Sequence, residues 1–207
     1  MAATAGRSAR LYLQSGTATS FTSGGMSTSN NLRFTMTAAS ARHWDYSTTP
    51  TISVGGVVQT SGYSVERCGG NVVFTSATTG TVTANGSFRT VSAIAEAKEW
   101  NLDVDNEYQE DPAFGDSGVT RVFIGQDAAG SFSDWHTDSY LLTFAESTTP
   151  YVVAFYIDNA TGARYEGYFF CSKDGVKTGA KQLIEGEASL VACQVSGEDQ
   201  AVYYRAT

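Results

Sequence analysis

Apolar and polar residues alternate with a period of two along most of the chain, which is the pattern of half-buried β-strands. In the segment NLRFTMT, Leu32, Phe34 and Met36 fall on one face and polar residues separate them. Further predicted strands are 63–67, 71–76, 80–84, 86–91, 97–105, 119–124, 139–146, 151–157, 164–171, 187–195 and 201–205. Helical periodicity is weak throughout. About a dozen short strands predict a mainly β fold, a sandwich or barrel with at most one short helix.

Turn signals separate these segments. Asn85-Gly86 and Asp174-Gly175 each predict a hairpin, because these dipeptides suit tight turns between strands. The stretch VSAIAEAKEW at 91–100 leaves two alternatives open. Its Ala, Glu and Lys residues suit a helix, but the alternation that continues into WNLDVD favours a strand.

Two segments do not fit the strand pattern. Residues 14–31 are rich in Ser, Thr and Gly and predict a polar arm or long loop, and residues 45–62 predict a long hairpin or loop around Gly55-Gly56. A chain of 207 residues is long enough for a sizeable core. We expect one domain, 1–207, without an additional C-terminal domain.

Charge is sparse but concentrated. Charged residues make up 16% of the chain and the net charge is −8. Between Ile94 and Asp116 there are eight carboxylates and one lysine, so 8 − 1 = 7 of the eight net negative charges lie in this segment. Since the remainder is nearly neutral, no basic patch is available for stable binding to nucleic acid.

The sequence suggests no targeting or redox chemistry. The first ten residues lack the apolar core of a signal peptide, and no run is long enough to span a membrane, so we expect a soluble protein that is not secreted by the usual route. Cys68, Cys171 and Cys193 are widely spaced, which favours reduced, partly buried thiols made in a cytoplasm over a zinc site.

Catalytic motifs are also missing. His43 and His136 form no metal-binding pattern, and the chain has no nucleophile elbow and no phosphate-binding loop. A triad of His43 with Asp45 is an alternative to a structural role for the histidine. We therefore expect no catalytic residues, no cofactor and no metal.

The acidic segment AEAKEWNLDVDNEYQEDPAFGDSG (95–118) has several possible interpretations. Paired carboxylates could hydrolyse a glycoside. Asp103, Asp105 and Glu107 have the spacing of a calcium loop, but Tyr108 occupies the position that requires glycine. The simplest interpretation is an edge strand and a loop, 106–118, kept soluble by charge.

Alternation within 97–105 indicates a further role. Trp100, Leu102 and Val104 fall on one face, whereas Glu99, Asn101, Asp103 and Asp105 fall on the other. One face is suited to a core and the other presents carboxylates along about 20 Å of strand. In a ring-shaped oligomer the polar face could line an acidic bore.

The chain resembles the major tail tube proteins of long-tailed, siphovirus-like bacteriophages. The stretch 33–76 is similar to that family's strand, its corner with WD and TP, its variable hairpin, and a closing pattern carried here by Tyr63, Val65, Gly70, Val72 and Phe74. The stretch 80–116 is similar to the strand and acidic FGD loop of the family, with Pro112-Ala113 where a threonine is common. The C-terminal part is similar only in rhythm.

The resemblance implies a structural protein of the virion tail. The fold would be a tail-tube β-sandwich whose strands join an inner barrel of a hexameric ring, and stacked rings would form the conduit for DNA ejection. Implied partners are further copies of the chain, a tape measure protein, and tail terminator and distal tail or baseplate proteins. DNA would pass without stable binding, no membrane would be bound, and assembly would occur in the host bacterial cytoplasm.

The same resemblance implies contacts between subunits or rings through the 14–31 and 45–62 segments and the acidic loop. The implied residues are Ser20, Phe21, Met26, Trp44, Asp45, Asp111, Phe114 and Asp116. Two other classes remain open on the sequence: another virion β-protein, in a capsid decoration or baseplate, and a carbohydrate-binding β-sandwich module.

Overall fold

The computed structural model describes residues 9–94, 97–111, 120–135, 140–177, 185–196, 198 and 200–206. The fold is mainly antiparallel β, as the alternation predicts. The strands are β1 (Arg10–Thr28), β2 (Arg33–Met36), β3 (Thr51–Val54), β4 (Val57–Val58), β5 (Tyr63–Glu66), β6 (Asn71–Phe74), β7 (Val82–Ala93), β8 (Ala97–Asp111), β9 (Thr120–Trp135), β10 (Tyr151–Asp158), β11 (Ala163–Lys177), β12 (Glu185–Ala192) and β13 (Val202–Arg205). The helix α1 (Tyr140–Ala145) is short, and the 3-10 turns are Ala39–Ala41 and Arg67–Gly69.

One half of the molecule is a sheet in the order β1-β10-β11-β12-β9-β8, with β13 paired to β11. We call this half the curled sheet, because β8 at its end approaches β1 and packs over β10. The ring of Trp100 on β8 lies 5.3 Å from that of Phe155 on β10. The concave face encloses a core to which each of these strands and Phe144 of α1 contribute. Alternating apolar residues therefore close the sheet around one core.

The other half is a small sandwich. Strand β2 pairs with the C-terminal end of β1, β6 pairs with β2, and β5 pairs with β6. These strands pack against β3 and β7, which pair with each other. Phe34, Met36 and Val72 meet Ile52 and Val82 in this second core, which also buries Trp44. We call this half the sandwich.

Strands β1 and β7 run through both halves as a paired ribbon. Their pairing begins at Tyr12↔Ala93 in the curled sheet and ends at Gly25↔Thr83 in the sandwich. The prediction of a polar arm at 14–31 is wrong, because residues 14–28 are strand. The predicted hairpin at Asn85-Gly86 is also wrong, since β7 continues through it between β1 and β3.

Other boundaries differ from the sequence predictions. The alternation predicts a strand at 139–146, but Tyr140–Ala145 is helix. β11 continues through Asp174-Gly175, which pair with Ala188 and Glu187. The predicted loop at 106–118 is strand up to Asp111, and residues 112–118 lie outside the described residues. The hairpin predicted within 45–62 is confirmed as β3–β4, and the strand alternative for 91–100 is confirmed at 91–93 and 97–100.

Candidate functional site on the outer face of the acidic strand

Strand β8 separates its residues into the two predicted faces. Glu99, Asn101, Asp103 and Asp105 are exposed, whereas Trp100, Leu102 and Val104 are partly buried against the core of the curled sheet. Pairing with β9 fixes this orientation over nearly the whole strand. The exposed face is the candidate site.

The neighbouring strands extend this face. Asp103 lies opposite Ala129, and Asp105 lies opposite Asp127. On the next strand, β12, the register places Glu187 beside Ser133. We call Glu99, Asp103, Asp105, Asp127 and Glu187 the acidic strip. Sequence reasoning missed Asp127 and Glu187, because only the strand register brings them beside β8.

Like charges within the acidic strip repel one another. Directly opposite residues in an antiparallel pair have Cβ atoms about 4.5–5.5 Å apart, and like charges there destabilise the sheet. Asp105 and Asp127 are such a pair. This pair therefore does not stabilise the isolated chain.

The strand geometry also tests whether Asp103, Asp105 and Glu107 form a calcium-binding loop. Asp103, Asp105 and Glu107 lie on one extended strand, so successive carboxylates are about 6.5 Å apart and do not converge as in a calcium loop. That interpretation is wrong for these residues. Among the residues that the structure describes, no group of three or more His, Cys, Asp or Glu side chains is placed to hold a metal ion.

The structure places the residues predicted to contact other subunits in different environments. Ser20 is exposed on β1. Phe21 and Met26 pack against the sandwich core. Trp44 is 1% exposed and Asp45 is buried. The Trp44 side chain packs in the sandwich core, and the Asp45 carboxylate accepts a hydrogen bond from Arg89 within the same chain.

The remaining predicted contact residues belong to the acidic loop. Phe114 and Asp116 lie outside the described residues. Asp111 ends β8, and only its backbone is described.

A second polar cluster lies in the interior. Glu166 on β11 has no exposed surface, and its carboxylate accepts hydrogen bonds from Arg164 Nε at 2.8 Å and Arg205 Nε at 2.9 Å. His43 Nε2 lies 3.4 Å from the same carboxylate. Burial opposes ionisation, but His43 and the two arginines outweigh it and lower the pKa of Glu166 to about 2.

This interior cluster continues toward the sandwich. Arg205 Nη1 also donates to Glu66 at 3.1 Å, and Glu66 pairs with Arg33. Arg67 donates to Glu198 from its backbone at 3.1 Å and from Nη1 at 3.0 Å. Burial raises the pKa of Glu198 even though these bonds favour its charged form. Alternation patterns cannot reveal such a cluster, because it pairs residues far apart in the chain.

The catalytic alternative for His43 and Asp45 is not supported by their contacts. His43 faces Glu166, whereas Asp45 accepts bonds from Arg89 Nε at 2.7 Å and Ser47 Oγ at 2.6 Å. Burial would raise the pKa of Asp45, but Ser47 and Arg89 lower it. The two residues thus have separate structural partners.

The cysteines are free thiols. Cys68 is fully buried between the two halves of the molecule, and burial raises its pKa well above the usual value. Cys171 and Cys193 are partly exposed. Within the described residues, no helix is long and apolar enough to cross a membrane.

Comparisons with known proteins give only a distant likeness. No family model and no curated protein matches the chain. A chain from the tail of an empty gene transfer agent particle with C6 symmetry matches 56% of this chain and 87% of its own length, at 14% identity and a TM-score of 0.43. A chain from the virion of a native gene transfer agent particle matches the same share, and 89% of its own length, at 14% identity and a TM-score of 0.40.

Proposed function

We propose that the chain is a structural virion protein that polymerises as stacked hexameric rings into a phage tail tube. The observation that carries the proposal is the acidic strip, which lies on the exposed face of β8, β9 and β12, whose opposite faces pack into the core. The resemblance of the stretches 33–76 and 80–116 to tail tube proteins supports the same function. In this proposal the acidic strip lines the lumen.

The free edge of β8 supports assembly into a ring. Within the described residues, β8 pairs with β9 on one side only, and it stands at the end of the curled sheet. A long unpaired edge invites pairing with another chain. A neighbouring subunit would satisfy these backbone groups and continue the sheet into a closed inner barrel.

The charge of the acidic strip suits a conduit for DNA. If six copies each contribute the five carboxylates of the acidic strip, the ring places 6 × 5, or about thirty, negative charges around one bore. Phosphates would be repelled from such a wall and would not adhere during ejection. Before ejection, a tape measure protein would occupy the lumen.

The hairpin β3–β4 is the proposed contact between rings. Val57 is 66% exposed and Val58 is 55% exposed, next to the Gly55-Gly56 turn. Two adjacent exposed valines on a two-residue edge strand suit burial against another ring. Tail terminator and distal tail or baseplate proteins would bind the ends of the tube, which would assemble in the bacterial cytoplasm.

Replacing Asp103 and Asp105 with Lys tests the position of the acidic strip. We expect the variant to assemble and its tubes to retain DNA at low salt, because basic residues in the lumen would bind phosphate. Retention is measured by co-sedimentation of DNA with tubes at increasing salt concentration. The control is Glu146→Lys, which changes an exposed carboxylate that follows α1.

Two outcomes would contradict the assignment to the lumen. A folded Asp103→Lys/Asp105→Lys variant that cannot assemble would place these residues in an interface. Tubes of this variant that bind no more DNA than tubes of the Glu146→Lys control would place the acidic strip away from the lumen.

A further inference from the structure

The strand ribbon that joins the two halves is interrupted where it passes between them. Ser15 pairs with Thr90 and Thr19 pairs with Phe88, so three residues of β1 face one residue of β7. Gly16, in this bulge, has a φ of +71°, a conformation that glycine adopts without steric cost. A second shift lies between Phe21 and Gly24. Bulges bend a strand and weaken its pairing locally, so this is the natural bending point of the ribbon.

Ionic contacts join the halves in addition to the ribbon. Each half gives cations to carboxylates of the other. Arg205 of the curled sheet binds Glu66 of the sandwich at 3.1 Å. In the opposite direction, Arg67 of the sandwich binds Glu198 at 3.0 Å, and His43 faces Glu166.

Apolar packing also joins the halves. Cys68 and Tyr46 come from the sandwich side, and they meet Val152, Tyr168 and Tyr203 of the curled sheet in a third, separate cluster. The two larger cores each belong to one half. The contacts between the halves beyond the ribbon therefore include this apolar cluster and the cross-half ion pairs.

A polar cleft of about 300 Å³ opens beside these ion pairs. It lies between β5 and β13, and its lining includes Arg33, Glu66, Glu198 and Arg205. Close packing does not fill the boundary at this point, so the halves have room to change their angle without compressing a core.

Arg205 has a special position within this boundary. It lies on β13, which pairs with β11 over four residues, and its guanidinium bonds Glu166 and Glu66 at once. Arg33 binds the same Glu66 but belongs, with it, to the sandwich. The two arginines thus differ in whether their ion pair crosses the boundary.

We propose that the chain contains a hinge at the Gly16 bulge of β1 and that Arg205 acts as the clip that holds the two halves at one angle. The hinge lets the sandwich rotate against the curled sheet while both cores stay intact. The clip favours the closed angle by bonding a carboxylate on each side of the boundary. This device rests on the single chain and is independent of the proposed assembly.

The test measures distances across and within the halves of the full-length chain in solution. Spin labels at Val57 and Val191 report the angle, because Val57 lies on β4 and Val191 on β12, and both are exposed. Labels at Leu32 and Val57 report on the sandwich alone. Cys171 and Cys193 are first replaced by Ser to prevent labelling elsewhere.

The proposal predicts different results for two matched variants. In Arg205→Gln, the distance distribution between 57 and 191 broadens and gains a second component, whereas that between 32 and 57 is unchanged. In Arg33→Gln, both distributions stay as in the parent, although Glu66 also loses a cation. If Arg205→Gln folds poorly, Glu66→Gln breaks the same bond and should show the same broadening.

Two results would overturn the proposal. An unchanged 57–191 distribution in a folded Arg205→Gln or Glu66→Gln chain would show that the ion pair does not set the angle. Equal broadening of both label pairs would show general loosening of the fold instead of rotation at a hinge.

Discussion

At the scale of single residues, Glu166 shows how the interior depends on charge. A buried carboxylate without partners would be protonated or destabilising. Here Arg164, Arg205 and His43 surround it, and its pKa is lowered to about 2. Removing one partner of such a group leaves an uncompensated buried charge, which typically costs about 3–5 kcal/mol.

Stability should therefore depend on pH in the acidic range. The pKa of Glu166 lies at about 2, below its ordinary value of 4.5. Its contribution of roughly 3 kcal/mol is present above about pH 4.5 and is lost as the pH falls toward 2. Glu198 acts in the opposite sense, because its pKa is raised by burial, and it reduces the net loss. Urea unfolding at a series of pH values measures the slope of the free energy of unfolding against pH.

The Glu166→Gln variant is the control for this pH dependence. Its free energy of unfolding should be lower at neutral pH and should fall less steeply between about pH 4.5 and pH 2. An identical slope in the variant and the parent chain would show that Glu166 is not the titrating group.

The residues of the acidic strip show what the sequence can and cannot predict. Alternation in WNLDVD places Asp103 and Asp105 on one face of the strand and Leu102 and Val104 on the other face, since the period of a strand is fixed by its geometry. No such rule connects Asp105 with Asp127, because strand register depends on the whole sheet. The Arg205–Glu66 pair joins positions 139 apart and has no local signal at all.

At the scale of elements, β1 explains the largest error of the sequence prediction. Residues 14–28 carry few apolar side chains, because much of this strand is exposed and alternation is visible only where one face is dry. Its backbone is nevertheless satisfied by β7 and, further along, by β2. Strand formation here depends on the partner rather than on the segment's own pattern.

The turn predicted at Asn85-Gly86 is wrong for a related reason. Asn85 remains extended in β7, and its side-chain Oδ1 accepts a hydrogen bond from the Ser23 backbone at 2.6 Å. Gly86 lies against the ring of Phe21, where an added Cβ would be 3.3 Å from that ring. The Asn-Gly pair therefore serves close packing between strands, not a turn.

The short helix shows the limit of periodicity. Residues 140–145 read YLLTFA, and such a short apolar run is compatible with strand or helix. Packing decides between them, since α1 supplies Phe144, which stacks on Tyr151 at 4.9 Å.

The β3–β4 hairpin carries a prediction at this scale. Replacing Val57 and Val58 with Thr should change the free energy of unfolding by no more than about 0.5 kcal/mol, because both side chains are exposed. Tube formation should require a higher protein concentration, since an apolar contact between rings would be lost. Sedimentation velocity over a concentration series measures the fractions of unassembled chain and of tubes.

The matched control is Val191→Thr. Val191 is also exposed, and the register places it beside Ala129 on the face of the acidic strip. In our proposal this face meets the lumen, so the control should assemble like the parent chain. Unchanged assembly in the Val57→Thr/Val58→Thr variant would exclude the hairpin as the contact.

At the scale of the whole molecule, charge is separated between two regions. The acidic strip lies on the outer face of the curled sheet. Many of the arginines lie toward the boundary with the sandwich, where Arg33, Arg67, Arg164 and Arg205 each pair with a carboxylate. Ion pairs thus lie at the boundary between the halves, and the carboxylates of the acidic strip lie on the outer face of the curled sheet.

This separation of charge is a physical argument for the tail tube proposal. A chain that only needed solubility could spread its carboxylates over the surface, whereas like charges gathered on one strand cost stability. Placing this face around a common bore would repel DNA from the wall, and β8, which ends the described sheet, could pair with another subunit.

Electron microscopy of the purified, concentrated chain tests the central claim most directly. We expect hollow tubes or rings with six-fold symmetry, whose amount increases with protein concentration. A folded chain that stays strictly monomeric at high concentration, and forms neither rings nor tubes, would contradict the account.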